Sequence, residues 1–121
     1  MAAGLATLEV FKEQNIIERA AKLSTYWETK LHSLRGFPHV VDVRNIGMMG
    51  AVELAPAAGS AGYLRAKDVW DRCFNKGLHF RYNNCSLALS PPLVMTEEHI
   101  DQIVHIIGES LKESAVHFKS A

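Results

Sequence analysis

The peptide LHFRYNNCSLAL, residues 78–89, contains two short apolar runs on either side of two asparagines. Residues 78–82 and 86–89 are rich in bulky and alternating side chains, which is typical of strands. Asparagine tolerates a positive φ, so Asn83-Asn84 is a suitable tight turn between them. Two prolines follow shortly afterwards, and because proline has no N–H to donate, they end the sheet. The peptide therefore predicts an antiparallel hairpin.

Helices are predicted on both sides of this hairpin. Apolar residues recur at steps of three and four over 16–34, over 63–76 and after Thr96, which is the spacing of one helix face. Thr96 is a good N-cap for the last helix, and a further helix rich in alanine and leucine is predicted over 2–14. The residues expected on apolar helix faces are Ile16, Ala20, Leu23, Trp27, Leu31, Leu34, Leu64, Val69, Trp70, Cys73, Phe74, Ile100, Ile103, Val104, Ile107 and Leu111.

A second hairpin is predicted upstream of the first. Residues 40–46 alternate apolar and polar side chains, and 51–54 form a short strand after a turn over 47–50. Residues 55–62 are small and flexible, but this segment is too short and too central to link two domains. The order α-α-β-β-α-β-β-α predicts an α+β fold in which helices cover a small antiparallel sheet.

Composition limits the classes of function. The chain has 121 residues, enough for one domain with its own core, and a formal net charge of +0. A neutral chain gives no electrostatic reason to expect nucleic acid or an anionic membrane as a partner. No apolar run approaches the ~20 residues of a membrane-spanning helix. The cysteines Cys73 and Cys85 lie among apolar residues, so we expect unpaired core cysteines and a cytoplasmic protein.

No self-contained active site is visible in the sequence. Phosphate-binding and serine-hydrolase motifs are absent, and the histidines and cysteines have no metal-ligand spacing. Arg81 stands out because it lies between aromatic residues in a predicted strand. Its planar guanidinium matches a carboxylate with two parallel hydrogen bonds. The alternatives are an edge-strand arginine that faces water, or an ion pair with Glu53.

Five segments together resemble the class III (omega) aminotransferases, which depend on pyridoxal 5′-phosphate (PLP). The matching peptides are AAGLA from Ala2, IERA from Ile17, RNIGMMGAVEL from Arg44, GLHFR from Gly77 and LALSPPLVMT from Leu87. They occur in the family's order and cover nearly the whole chain. His99 departs from the pattern, because the family has a glutamate at this position of the last helix.

The resemblance is strongest to the beta-alanine–pyruvate group of the family. It implies a fold-type I enzyme that moves an amino group from an omega-amino acid or an amine to a keto acid such as pyruvate. It implies that Arg81 binds the substrate carboxylate and can swing aside for a substrate without one. It also implies that 1–121 is a single C-terminal domain of a larger homodimeric aminotransferase, with a helical lead-in over 1–36 and an α+β core over 37–121.

The same resemblance implies that the catalytic residues lie elsewhere. The family's cofactor-binding lysine, and the aspartate and threonine that hold PLP, precede the helix at which this chain begins. No lysine of this chain lies in the family's lysine motif, and PLP chemistry requires that lysine. We therefore expect a truncated product that is inactive alone and binds no PLP, and whose main partner is the missing N-terminal large domain.

Two other functions are compatible with the residues. The chain could be a free-standing α+β module that binds or senses an acidic metabolite through Arg81, or it could be a purely structural dimerisation unit. The reading frame upstream of Met1 separates these hypotheses. A long in-frame extension with a lysine motif favours the aminotransferase, whereas a stop codon favours the free-standing module.

Overall fold

The computed structural model describes residues 1–59 and 61–118. Two parts of the chain lie outside the described residues: Ser60, which falls in the predicted flexible segment, and residues 119–121. The elements are α1 (Ala2–Glu13), α2 (Ile16–His32), β1 (Val40–Ile46), β2 (Met49–Leu54), α3 (Leu64–Asn75), β3 (Arg81–Asn83), β4 (Ser86–Leu89) and α4 (Glu97–His117), with a short 3-10 helix, Ser33–Gly36, after α2. The predicted element order and the α+β class are confirmed.

The four strands form one antiparallel sheet in the order β1-β2-β4-β3. Residues that lie opposite each other on neighbouring strands share a face, and successive residues of a strand alternate between the two faces. One face carries buried residues such as Val43, Val52 and Leu87 and packs against the helices. We call the other the open face; it consists of Asp42, Arg44, Ile46, Met49, Ala51, Glu53, Arg81, Asn83, Ser86 and Ala88.

The core lies between the sheet and the helices α2, α3 and α4. Trp27 and Leu31 of α2 are fully buried, as are Val69 of α3 and Ile100 and Ile107 of α4. These residues come from the predicted apolar helix faces, so the periodicity located the core correctly. By contrast, α1 buries no residue.

Helix α2 lies unusually close to the sheet at Gly50. A Cβ at this position would overlap Cδ2 of Leu31 and lie 3.3 Å from the ring of Trp27. Both of those side chains are fully buried and have little space into which to move. Gly50 therefore sets the distance between α2 and β2.

Both hairpin turns differ from the prediction. Ile46 pairs with Met49, so the first turn is the two residues 47–48, and β2 begins two residues earlier than expected. Asn83 pairs with Ser86, so the second turn is 84–85, and Asn83 still belongs to β3. The backbone explains the second shift, because only Asn84 of the two asparagines adopts a positive φ, of 53°.

The predicted strand over 78–82 is wrong at its start, since β3 begins at Arg81. The N–H of Leu78 donates to the carbonyl of Cys73 at 2.9 Å, and the carbonyl of Phe80 accepts from the indole Nε1 of Trp70 at 2.6 Å. On the other side, Pro91 and its neighbouring proline have no N–H with which to continue the ladder. Residues 78–80 therefore leave β4 and follow α3.

Four smaller corrections concern helix ends and burial. The predicted helix over 16–34 ends at His32 and continues as the 3-10 turn, and the one over 63–76 covers 64–75. Cys73 is buried and unpaired as expected, but Cys85 is only half-buried, because it lies in the second hairpin turn. Phe74 is 53% exposed and stacks on Trp70 outside the core.

The start of α4 confirms the Thr96 cap and gives His99 a role. The hydroxyl of Thr96 accepts from the N–H of His99 at 3.3 Å, and Nδ1 of His99 accepts from the N–H of Thr96 at 3.2 Å. This is a capping box, in which glutamate or glutamine usually supplies the second acceptor. The imidazole therefore supplies the acceptor that a glutamate or glutamine side chain usually supplies in such a box.

Candidate functional site

A cleft of about 420 Å³ opens where residues 78–80 and the end of β4 separate. Its lining is mainly apolar; Trp27 and Ile103 contribute from the helices, and Pro92 and Met95 from the loop after β4. Arg81 lies at this cleft, at the first position of β3. Residues 78–80 leave β4, and this departure both ends the hydrogen-bond ladder and creates the cleft.

Arg81 is an exposed side chain on the open face, where it pairs across the ladder with Ala88. Within 1–59 and 61–118, no hydrogen bond or ion pair engages its guanidinium. The alternative that Arg81 forms an ion pair with Glu53 is wrong, because Glu53 accepts from Arg44 at 2.8 Å. The alternative that Arg81 only faces water is not tested, and its binding role stays a prediction.

Arg44 lies on the open face in the same row of cross-strand partners as Arg81, since Arg44 pairs with Ala51, Ala51 with Ala88, and Ala88 with Arg81. The surroundings of the two arginines differ. Nη1 of Arg44 donates to Asp42 at 2.9 Å and to Glu53 at 2.8 Å. Hydrogen bonding to Asp42 and then to Glu53 raises the pKa of Arg44, and the bond from Arg44 lowers the pKa of Asp42. Because two carboxylates already neutralise Arg44, Arg81 is the cation of this row that is available to an anion.

Two further side chains shape the cleft, and the sequence did not single them out for this role. Trp70 fixes the backbone of Phe80 through its indole N–H. Arg19 of α2 donates through Nη2 to the carbonyl of Met95 at 2.8 Å and to that of Val94 at 3.3 Å. The Arg19 bonds span 75 and 76 residues and the Trp70 bond spans 10, and a periodicity pattern carries no signal for either contact.

Comparison with known proteins places the chain in a family. Residues 1–111 match the model of the aminotransferase class-III family, and the chain belongs to that family. An omega-aminotransferase of Caulobacter vibrioides is 47% identical over 110 residues, which cover 91% of this chain and 25% of that protein. A beta-alanine–pyruvate aminotransferase of Pseudomonas aeruginosa is 31% identical over 110 residues, covering 91% and 24%. The chain thus spans about a quarter of the length of these curated relatives.

Solved structures agree with this assignment. The adenosylmethionine-8-amino-7-oxononanoate aminotransferase of Methanocaldococcus jannaschii has a TM-score of 0.83 and 32% identity, over 92% of this chain and 26% of that one. A transaminase from ancestral reconstruction has a TM-score of 0.87 and 28% identity, over 96% of this chain and 27% of that one. The family resemblance and the fold class predicted from the sequence are both confirmed.

The residues described, 1–59 and 61–118, do not by themselves fit a PLP site. None of the lysines in the described part lines the cleft. Lys30 pairs with Asp101 and Lys76 pairs with Glu113, so both are engaged elsewhere. The described residues also contain no group of three or more histidine, cysteine or acidic side chains that could hold a metal ion. Among the helices described, none is both long and apolar enough to cross a bilayer.

Proposed function

We propose that the chain is the C-terminal domain of a PLP-dependent aminotransferase that moves an amino group from an omega-amino acid or an amine to a keto acid such as pyruvate. Support comes from the family membership and from relatives named omega-aminotransferase and beta-alanine–pyruvate aminotransferase. PLP supplies the electron sink for such chemistry. Because none of the lysines in the described part lines the cleft, we assign the cofactor to the part of the enzyme outside this chain.

The observation that carries the proposal is the contrast between Arg81 and Arg44. Arg44 is held by Asp42 and Glu53, whereas the guanidinium of Arg81 is without a described partner at the mouth of an apolar cleft. A guanidinium in such a place is suited to bind the carboxylate of a keto acid or amino acid through two parallel hydrogen bonds. The task of this domain is then to bind and orient the substrate carboxylate.

The proposal includes the parts of the enzyme that complete the site. We assign residues 1–121 to one domain, with a helical lead-in over 1–36 and the α+β core over 37–121. A large N-terminal domain outside this chain covers the open face and α1, and two copies of the whole enzyme form a homodimer. The chain alone is inactive and binds no PLP, and the enzyme is cytoplasmic.

Substitution of Arg81 in the full-length protein tests this function. Two charge-assisted hydrogen bonds contribute about 2–4 kcal/mol, so Arg81→Ala should lower kcat/KM for pyruvate or beta-alanine about 30- to 1000-fold. Arg81→Lys should not restore it, because an ammonium group cannot reproduce the planar fork. The control is single-turnover kinetics with an amine donor that has no carboxylate. The rate with this donor should fall much less on substitution of Arg81.

An equal loss for both donors in this experiment would make Arg81 a structural residue. If neither donor loses rate, the carboxylate is held by a group outside this chain. The free-standing alternative predicts a different result, namely that the isolated chain binds pyruvate and that Arg81→Ala abolishes the binding. Isothermal titration of pyruvate into the isolated chain measures this directly.

A further inference from the structure

Arg19 makes an unusual long-range contact. It lies in the first turns of α2, and its half-buried guanidinium reaches the carbonyls of Val94 and Met95 at 3.3 and 2.8 Å. Among the residues of known position, no carboxylate forms an ion pair with it. Its hydrogen bonding is therefore directed at the backbone of the loop between β4 and α4 and not at another charge.

The two carbonyls that Arg19 binds have no other described hydrogen-bond donor. They come immediately before Thr96, so they precede the hydrogen-bond ladder of α4. The loop itself has few other restraints, since its two prolines lack an N–H and its one backbone hydrogen bond among the described residues joins the N–H of Met95 to the carbonyl of Pro92 at 3.1 Å. Arg19 is thus the side chain that ties this loop to α2.

The same loop forms one wall of the cleft at Arg81. Pro91, Pro92 and Met95 line the same cleft as residues 78–80 and Arg81, and Met95 also packs against the core. A displacement of Met95 therefore changes the shape of the cleft that Arg81 also lines. Reactions that depend on bound geometry are sensitive to displacements of about 1 Å, even when the cause lies away from the reacting atoms.

We propose that Arg19 is a positioning residue for the carboxylate site. It holds the loop between β4 and α4 at a fixed distance from Arg81. The substrate carboxylate and its short carbon chain then fit between this loop and Arg81. This inference rests on the proposed function of Arg81. Arg19 touches no substrate in this scheme and acts only through the carbonyls of Val94 and Met95.

A purely structural role predicts a different outcome. If Arg19 only stabilised the packing of α2 on α4, its loss would lower the melting temperature and would affect all substrates alike. A positioning role instead changes the preference for a carboxylate-bearing acceptor over one that lacks the carboxylate. The ratio of kcat/KM for pyruvate to kcat/KM for propanal measures this preference.

The experiment uses the full-length aminotransferase with Arg19→Met, which keeps the length of the side chain and removes its donors. We expect the pyruvate-to-propanal ratio to fall roughly two- to thirtyfold, the range in which a residue modulates a site through intervening structure. Lys22→Met is the matched control. It removes a cation one turn away on α2 that makes no hydrogen bond or ion pair with the described residues, and it should leave the ratio unchanged.

Arg81→Ala and the double variant separate this inference from the proposed function. If Arg19 acts through the Arg81 site, Arg19→Met should not lower the ratio further in the Arg81→Ala background. If Arg81→Ala lowers the ratio and Arg19→Met does not, the positioning role is overturned and the proposed function stands. If Arg81→Ala leaves the ratio unchanged, the proposed function itself fails. Should Arg19→Met fail to fold, Arg19→Lys, which reaches one carbonyl, provides the same comparison.

Discussion

Gly50 allows α2 to approach the sheet more closely than any other residue would allow. We expect Gly50→Ala to destabilise the chain by about 1–3 kcal/mol, because the added methyl overpacks a core that contains Leu31 and Trp27. Urea denaturation measures the loss. Gly36→Ala is the matched control, since a Cβ there meets nothing within 4 Å.

The same overlap makes the Gly50 prediction specific. In a Leu31→Ala background the added methyl has room, so Gly50→Ala should cost clearly less than it does alone. An equal cost in both backgrounds would locate the strain in the backbone of β2 and not in contact with α2.

His99 replaces a glutamate of the family pattern without loss of the capping box. We expect His99→Ala to lower the free energy of unfolding by about 0.5–1.5 kcal/mol, since the N–H of Thr96 loses its acceptor. His99→Glu should match or exceed the wild type, because a carboxylate also suits the positive end of the helix. Thermal unfolding of the three proteins gives the order. A wild-type stability for His99→Ala would show that water replaces the imidazole.

At the level of elements, α2 and α4 are joined by a small polar cluster. The hydroxyl of Tyr26 donates to Asp101 at 2.6 Å, and the ammonium of Lys30 lies 3.1 Å from the same oxygen. The bond from Tyr26, and then that from Lys30, lower the pKa of Asp101 below its usual range. The folded chain therefore favours the charged carboxylate more than the unfolded chain does.

This shift has a defined sign in the dependence of stability on pH. The contribution of Asp101 is fully present above the pKa of an unfolded aspartate, and it disappears as the pH falls through the lower pKa of the folded state. We expect Asp101→Asn to be less stable than the wild type near neutral pH and to approach it in acid. Urea denaturation across this range tests the convergence. Glu98→Gln on the same helix serves as control, and a constant difference at all pH values would contradict the assignment.

The elements also illustrate what sequence patterns can locate. Helical periodicity placed α2, α3 and α4 correctly because burial of one face selects residues at regular spacing. The start of β3 was wrong because it depends on the indole of Trp70, which is a tertiary contact. Arg81 was singled out by its aromatic neighbours and by the family resemblance. The cleft and the role of Arg19 were not predicted, since the carbonyl that Arg19 binds is 76 residues away.

For the whole molecule, α1 presents an apolar surface that no other described element covers. Leu5 is 64% exposed and Leu8 is 66% exposed, and α1 buries no residue. Exposed apolar patches of more than a few hundred Å² usually bind a partner. We therefore expect the isolated chain to self-associate weakly through α1.

Sedimentation velocity tests this expectation. Leu5→Gln together with Leu8→Gln should shift the isolated chain towards monomer, whereas Lys12→Gln on the same helix should not. A monodisperse monomer with α1 fully helical would show that this face needs no cover. In the full-length protein, the same double substitution should weaken the contact with the remaining polypeptide and lower the melting temperature.

Both tryptophans of the chain are connected to the Arg81 cleft. Trp27 lines the cleft from α2, and Trp70 is bonded to the carbonyl of Phe80, which also lines it. Indole fluorescence responds to the polarity and the hydrogen bonding of the ring. The intrinsic emission of this chain is therefore an optical reporter of what enters the cleft, and Trp27→Phe leaves Trp70 as a single chromophore that reports on the backbone beside Arg81.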